Sequence, residues 1–245
     1  VRLSSGTWLT FLDSDDIWMP DRLEILHRDL VRAPEQVIAH LGDVRYVGPG
    51  HDETLFTIKG RVFPSDTAAE LETPLDLVIS GMTLQGAAIR RDAWDRIGGL
   101  DTRMPMLEDT AFFCQLALTG NFLVTQPVLA EIRRLAQDGI ALTSLERTDP
   151  LQARQLHAHY LRALLPCPLT HPQRDMVNRL LSGAEFHVAE ALARTDPGAA
   201  RKMLVQSARH HPSALKGWGK ASAGILFGQP GFSWLRRNHT TLDRS

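Results

Sequence analysis

One run near the start of the chain narrows its fold more than any other feature. Thr7-Trp8-Leu9-Thr10-Phe11-Leu12 is β-branched, aromatic or leucine throughout. A run with so little polar alternation predicts a strand buried on both faces. It stops at Asp13-Ser14-Asp15-Asp16, after which Pro20 and Asp21 open a helix with apolar positions at Leu23, Leu26, Leu30 and Val31. A buried strand that delivers carboxylates at its carboxyl end and then turns into a helix is a unit of an α/β sheet, at the place where such sheets bind ligands.

The alternation continues. Strands are predicted over 37–41 and 44–47, a turn at Gly48-Pro49-Gly50, and a hairpin over 54–58 and 61–63. A short helix is expected after Pro74, a strand over 83–90, and a helix over 91–97 broken by Gly98-Gly99. A helix over 108–118 should close on Gly120 as its C-cap, with last strands over 122–125 and 128–133. Beyond Leu145 only helical periodicity remains, over 151–165, 173–193 and 197–210, the last opened by Asp196 before Pro197.

Charge changes at the same place. Residues 1–145 hold 13 Lys and Arg against 21 Asp and Glu, whereas 146–245 hold 14 against 7. Two domains are therefore expected, 1–145 acidic and α/β, 146–245 a basic helical extension. The chain opens on Val1 and enters a strand almost at once, which reads as entry into a domain partway through.

With 43% apolar residues among 245, a disordered, collagen-like or disulfide mini-protein chain is excluded. Cys114 and Cys167 stand far apart without zinc or redox spacing, and two such thiols fit a reducing, cytoplasmic setting. No apolar run reaches the roughly 18 residues of a membrane span. The basic half interleaves Lys216, Lys220 and Arg236-Arg237 with Trp218, Phe232 and Trp234. That pattern permits peripheral contact with an anionic membrane surface, and equally a solvated or core-packed helix. Its basic residues match no nucleic-acid recognition motif, so nucleic acid is not an expected partner.

Two motifs carry chemistry. Adjacent carboxylates repel and raise one another's pKa, so Asp13, Asp15 and Asp16 favour a divalent cation or a phosphate bridged by one. The plainer reading is helix capping, but one Asp suffices for that. The second motif, Glu108-Asp109, opens a predicted helix. Acidic residues complement the macrodipole there, and on residue type alone that structural reading outweighs a general base.

Gly6 to Pro20, with its Leu12-Asp13-Ser14-Asp15-Asp16 core and a proline four residues on, resembles the central signature of family 2 glycosyltransferases. Thr83 to Asp101, ending in Gly98-Gly99-Leu100-Asp101, is similar to that family's acceptor-side segment. Leu107-Glu108-Asp109 falls where the family places an acidic pair ahead of a helix. The resemblance covers about residues 1–145. It implies an α/β fold of GT-A type, a mixed sheet flanked by helices but lacking its first strands, followed by the all-helical extension. It further implies transfer of a sugar from a nucleotide-diphosphate donor to a hydroxyl of a saccharide or lipid-linked acceptor, inverting and dependent on Mn²⁺ or Mg²⁺. On this resemblance Asp13, Asp15 and Asp16 handle the donor, with Asp15 first and Asp13 second as metal ligands. Asp109 is the general base with Glu108 beside it, and Gln85 and Gly86 lie on the acceptor side. The segment after the last strand supplies Arg133 and Arg134 for the diphosphate but lacks the family's following His. An N-terminal part that holds the nucleotide base is missing from the pattern, so weak or absent activity is expected of these 245 residues alone. The competing readings are a degenerate, non-catalytic scaffold and a Mg²⁺-dependent nucleotidyltransferase.

Overall fold

The computed structural model describes residues 1–133, 149–193 and 195–211. In chain order the elements are β1 (Trp8–Thr10), β2 (Ile17–Trp18), α1 (Arg22–Leu30), β3 (Val37–Gly48), β4 (His51–Thr54), α2 (Leu55–Ile58), β5 (Ala69–Leu71), α3 (Leu75–Val78), β6 (Ala87–Arg90), α4 (Arg91–Ile97), α5 (Glu108–Leu116), β7 (Asn121–Arg133), α6 (Pro150–Leu164), α7 (His171–Leu192) and α8 (Pro197–His210). By their contacts they fall into two units, Val1–Ala141 and Leu142–Ser245.

The first unit is built on a mixed seven-stranded sheet, in the order β1-β6-β3-β7-β2, with β4 paired to β3 and β5 to β7. Long β3 and β7 run parallel at its centre, and Val37, Ile38, Ala39, Leu41, Val44, Phe122, Val124, Leu129 and Ala130 are all buried there. Near-continuous apolar sequence belongs to strands covered on both faces, and these two meet that condition. The two strand pairs expected over 37–47 and over 122–133 are in fact single strands. Register shifts between Gly42 and Val44 absorb the irregularity that the sequence pattern read as a break.

Strand β1 does not meet the same condition. It pairs only with β6 among the described residues, Trp8 and Thr10 are half-buried, and Leu12 is 44% exposed. Among the described residues β1 lies at an edge of the sheet, with Leu9 buried and its neighbours only half-buried, so the expected burial on both faces is not met there. The hairpin expected over 54–63 is also corrected. The Asp43 carboxylate accepts the backbone N–H of Phe56 at 2.9 Å, and Thr54 caps Thr57 N at 3.4 Å. These two acceptors turn 55–58 into α2. Gly120 is not a left-handed cap, since α5 ends on right-handed Ala117. Its place is steric instead, because a Cβ there would stand 2.9 Å from the Gln36 carbonyl oxygen. Gly98, by contrast, closes α4 at φ 89°, its N–H donating to the Trp94 carbonyl, as the glycine pair predicted.

The second unit holds α6, α7 and α8. Asp196 caps α8 through Ala199 N at 2.9 Å, and Thr170 with Gln173 forms a capping box on α7. Helices α7 and α8 meet through Ala189, Ala193, Ala200, Leu204 and Ala208, four of them alanines that let the backbones approach. One fully buried carboxylate, Glu185, sits among them and accepts from Arg162 of α6 at 2.6 Å. No described helix is long and apolar enough to cross a membrane.

Candidate active site

The acidic turn begins three residues past β1. Asp16 N donates to the Asp13 carbonyl at 3.2 Å, closing the turn, and side-chain oxygens of Asp13, Asp15 and Asp16 all lie within 4.8 Å of one another. Two neutral donors hold them. Gln85 Nε2 donates to Asp13 Oδ2 at 2.6 Å, and the backbone N–H of Arg133, at the end of β7, donates to Asp16 Oδ1 at 3.0 Å. Burial pushes the Asp16 carboxyl up, the Arg133 N–H pulls it back, and the charges of Asp15 and Asp13 push it up again. No ion pair to these three carboxylates occurs among the described residues. Three convergent hard-oxygen donors with no cationic side chain paired to them fit Mg²⁺ or Mn²⁺.

Sequence reasoning missed the group that lies behind this turn. Arg22, the first residue of α1, is 1% exposed. Its guanidinium donates to the carbonyls of Gln85, of Ala87 at 2.9 Å and of Leu129 at 3.4 Å, and it lies 4.6 Å from the Trp18 ring centroid. Burial lowers its pKa to about 10. A signal was present: a cation in the first turn of a helix opposes the macrodipole, so Arg22 must be placed there for another partner.

Asp109 stands in the first turn of α5, half-buried. Burial, and then the charge of Glu108, push its carboxyl up to about 7, against the pull of the Thr110 N–H and hydroxyl. Thr110 N donates to Asp109 Oδ1 at 2.6 Å, and the Thr110 hydroxyl oxygen accepts Met82 N at 3.2 Å, which fastens the start of the 82–86 loop to α5. Leu107, just before the pair, is left-handed at φ 61°, alone among the described non-glycine residues. Such strain is kept only where the surroundings enforce it.

An aromatic ladder joins the two motifs. Phe11 stacks on Trp94 with centroids 4.9 Å apart, and Trp94 meets Phe112 at 4.8 Å. Phe11 leads into the acidic turn and Phe112 follows Asp109 by less than one helical turn, so β1 and α5 are held together through one tryptophan. Gln85, expected on the acceptor side, is bonded to Asp13. Gly86 lies against β3, where a Cβ would stand 2.7 Å from the Gly42 carbonyl oxygen. Arg133 meets the acidic turn through its backbone, with its side chain exposed. Arg134 lies outside the described residues.

A mixed sheet flanked by helices, with an Asp-x-Asp turn at a strand end and a helical region after it, is a GT-A-type fold. The chain superposes on the crystal structure of S. aureus TarS 1–349 with a TM-score of 0.61 and 14% identity. That likeness covers 98% of this chain and 68% of the TarS chain. Half of the chain is homologous to a protein of Haemophilus influenzae described as an uncharacterized glycosyltransferase, with 31% identity over 123 residues. The match spans 40% of that relative's own length. No family model matches.

Proposed function

We propose that the chain carries the catalytic face of an inverting glycosyltransferase that moves a sugar from a nucleotide-diphosphate donor to a hydroxyl of a saccharide or lipid-linked acceptor. The observation that carries this reading is the Asp13, Asp15 and Asp16 turn, three carboxylates within 4.8 Å held by neutral donors, braced by aromatic rings to the helix that bears Asp109.

In this reading Asp15 and Asp13 hold Mn²⁺ or Mg²⁺, and Asp16, with Asp13, faces the donor's ribose and diphosphate. The bound cation supplies charge neutralisation to the departing diphosphate. Arg133 and Arg134 follow the last strand and serve the same phosphates. Asp109 draws the proton from the acceptor hydroxyl as its oxygen attacks the anomeric carbon. The bond from that carbon to the diphosphate breaks, the electron pair leaves with the diphosphate, and the proton stays on Asp109. Attack opposite the leaving group inverts the anomeric centre. A carboxyl at about 7 suits the task, because it is substantially ionised at neutral pH and still basic enough to take a proton. Glu108 supports that value by its charge.

Residues 1–145 are then the catalytic part and 146–245 a basic extension. Arg201, Lys202 and Arg209 are exposed on α8, a helix without an acidic residue, which supports peripheral contact with an anionic membrane surface at the cytoplasmic side.

The test is calorimetric titration of the full-length protein with UDP-, GDP- and TDP-linked sugars, with and without Mn²⁺. Binding of one donor that requires Mn²⁺, weakened about tenfold or more in Asp15→Ala at unchanged thermal unfolding, is the expected result. Absence of Mn²⁺-dependent binding for every donor refutes the reading.

A further inference from the structure

We propose that Arg22 is a positioning residue for the acidic turn: by gripping the Gln85 carbonyl from within the core, it sets the Gln85 amide against Asp13 and so fixes the aim of the Asp13 carboxylate. Its relevance to cation binding rests on the glycosyltransferase reading above; the positioning itself does not.

A buried guanidinium needs a reason. No carboxylate pairs with Arg22 among the described residues, and its Nε has no hydrogen-bond partner. A core cation without an ion pair is costly, and a hydrophobic residue would fill the space at lower cost. What Arg22 accomplishes is geometric. Its carbonyl partners are Gln85 and Ala87, which bracket Gly86 at the entrance to β6, and Leu129 in β7. Gly86 is itself held against β3 by the Gly42 N–H at 2.9 Å. The backbone of Gln85 is thereby fixed from one side by Arg22 and from the other by the strand that follows. From this anchored position the Gln85 side chain reaches Asp13 Oδ2 at 2.6 Å.

A second route leads from the same guanidinium to the same turn. Arg22 lies over Trp18 at 4.6 Å, and the Trp18 indole N–H donates to the Phe11 carbonyl at 3.2 Å, two residues before Asp13. Met19 N donates to the Leu129 carbonyl at 3.1 Å, the third of Arg22's acceptors. Both flanks of the acidic turn, Phe11 before it and Trp18-Met19 after it, are thus tied to the partners of one buried side chain. Several carbonyls around a plane suit the arginine fork. A lysine ammonium, a compact point charge, cannot reproduce that pattern.

The test uses the 245-residue chain, nuclear magnetic resonance and Mn²⁺ titration. The Gln85 side-chain amide, assigned by its loss in Gln85→Ala, should resonate downfield in the unmodified chain because it donates to a carboxylate. In Arg22→Lys it should move to the position of a solvated glutamine, while the other glutamine side chains stay in place. Should the lysine variant not fold, Arg22→Gln, uncharged and still a donor, takes its place with the same expectation. Mn²⁺ affinity, read by electron paramagnetic resonance, should fall about tenfold in Arg22→Lys and in Gln85→Ala, and no further in the double variant. An unchanged Gln85 amide in a folded Arg22 variant overturns the proposal. So do Mn²⁺ losses that multiply in the double variant. If the unmodified chain binds no Mn²⁺, the cation part of the glycosyltransferase reading fails, and the Gln85 resonance still decides the role of Arg22.

Discussion

Asp109→Asn should make the protein more stable while removing the proposed general base, and the stability gain has a definite pH signature. Burial and Glu108 move the Asp109 carboxyl from 3.8 to about 7. At about 1.4 kcal/mol per unit, the whole shift corresponds to about 4 kcal/mol. Asp109 keeps part of its surface in water, which screens the charge, so about 1–2 kcal/mol is the gain to expect. The folded state holds this proton more tightly than the unfolded state. Stability from this group is therefore intact below pH 3.8, falls as pH rises through the interval, and is lost in full above about 7. Asparagine keeps an acceptor for Thr110 N and carries no charge, so it removes the slope. Urea unfolding of both proteins at pH 4 and pH 8 measures the difference. The asparagine variant should gain at pH 8 and come close to the parent at pH 4, where both side chains are uncharged in the folded state. A variant no more stable than the parent at pH 8, or a gap that does not change with pH, refutes the account of Asp109 as a carboxylate destabilised by its surroundings.

Gly86→Ala should cost about 1–3 kcal/mol in chemical unfolding, because its Cβ would stand 2.7 Å from the Gly42 carbonyl oxygen and the β6 entrance cannot shift freely. Cys114 is fully buried and its thiol pushed up to about 12, whereas Cys167 is partly exposed. A thiol reagent at pH 8 should therefore titrate one cysteine in the native chain and two in urea. Arg162→Ala leaves the Glu185 carboxylate buried without its arginine. It should lower the stability of the helical unit by about 3 kcal/mol, against about zero for Arg179→Ala at an exposed site of the same unit. Equal effects of the two arginine substitutions would show that the buried pair contributes nothing.

What was legible in the sequence was local. Asp196-Pro197 and Gly98-Gly99 mark helix ends through their own backbone preferences, and both do so in the structure. The carboxylates of the acidic turn are neighbours in sequence, so their convergence could be foreseen. The failures share one cause, which is contact over long sequence separation. Residues 55–58 are helical because Asp43, on another element, accepts their N–H groups. Strand β2 consists of two residues, Ile17–Trp18, and exists because β7 lies beside it, not through any pattern of its own. Gln85 and Asp13 stand 72 positions apart, and no periodicity links them. Arg22 left a faint trace as a cation at the wrong end of a helix, but its partners could only be found in three dimensions.

The ring contacts of Phe11, Trp94 and Phe112 have a mechanical consequence. They tie the segment just after β1 to α5, so the acidic turn and the helix that bears Asp109 share one brace. The two cannot hinge apart without breaking the contacts of a tryptophan. The 82–86 loop is fastened as well, to α5 through Thr110 and to the core through Arg22, and Trp94, which has no role in the proposed chemistry, ties the elements that carry the two acidic motifs. Shortening that side chain would loosen the link between the two acidic motifs while leaving every carboxylate in them chemically intact.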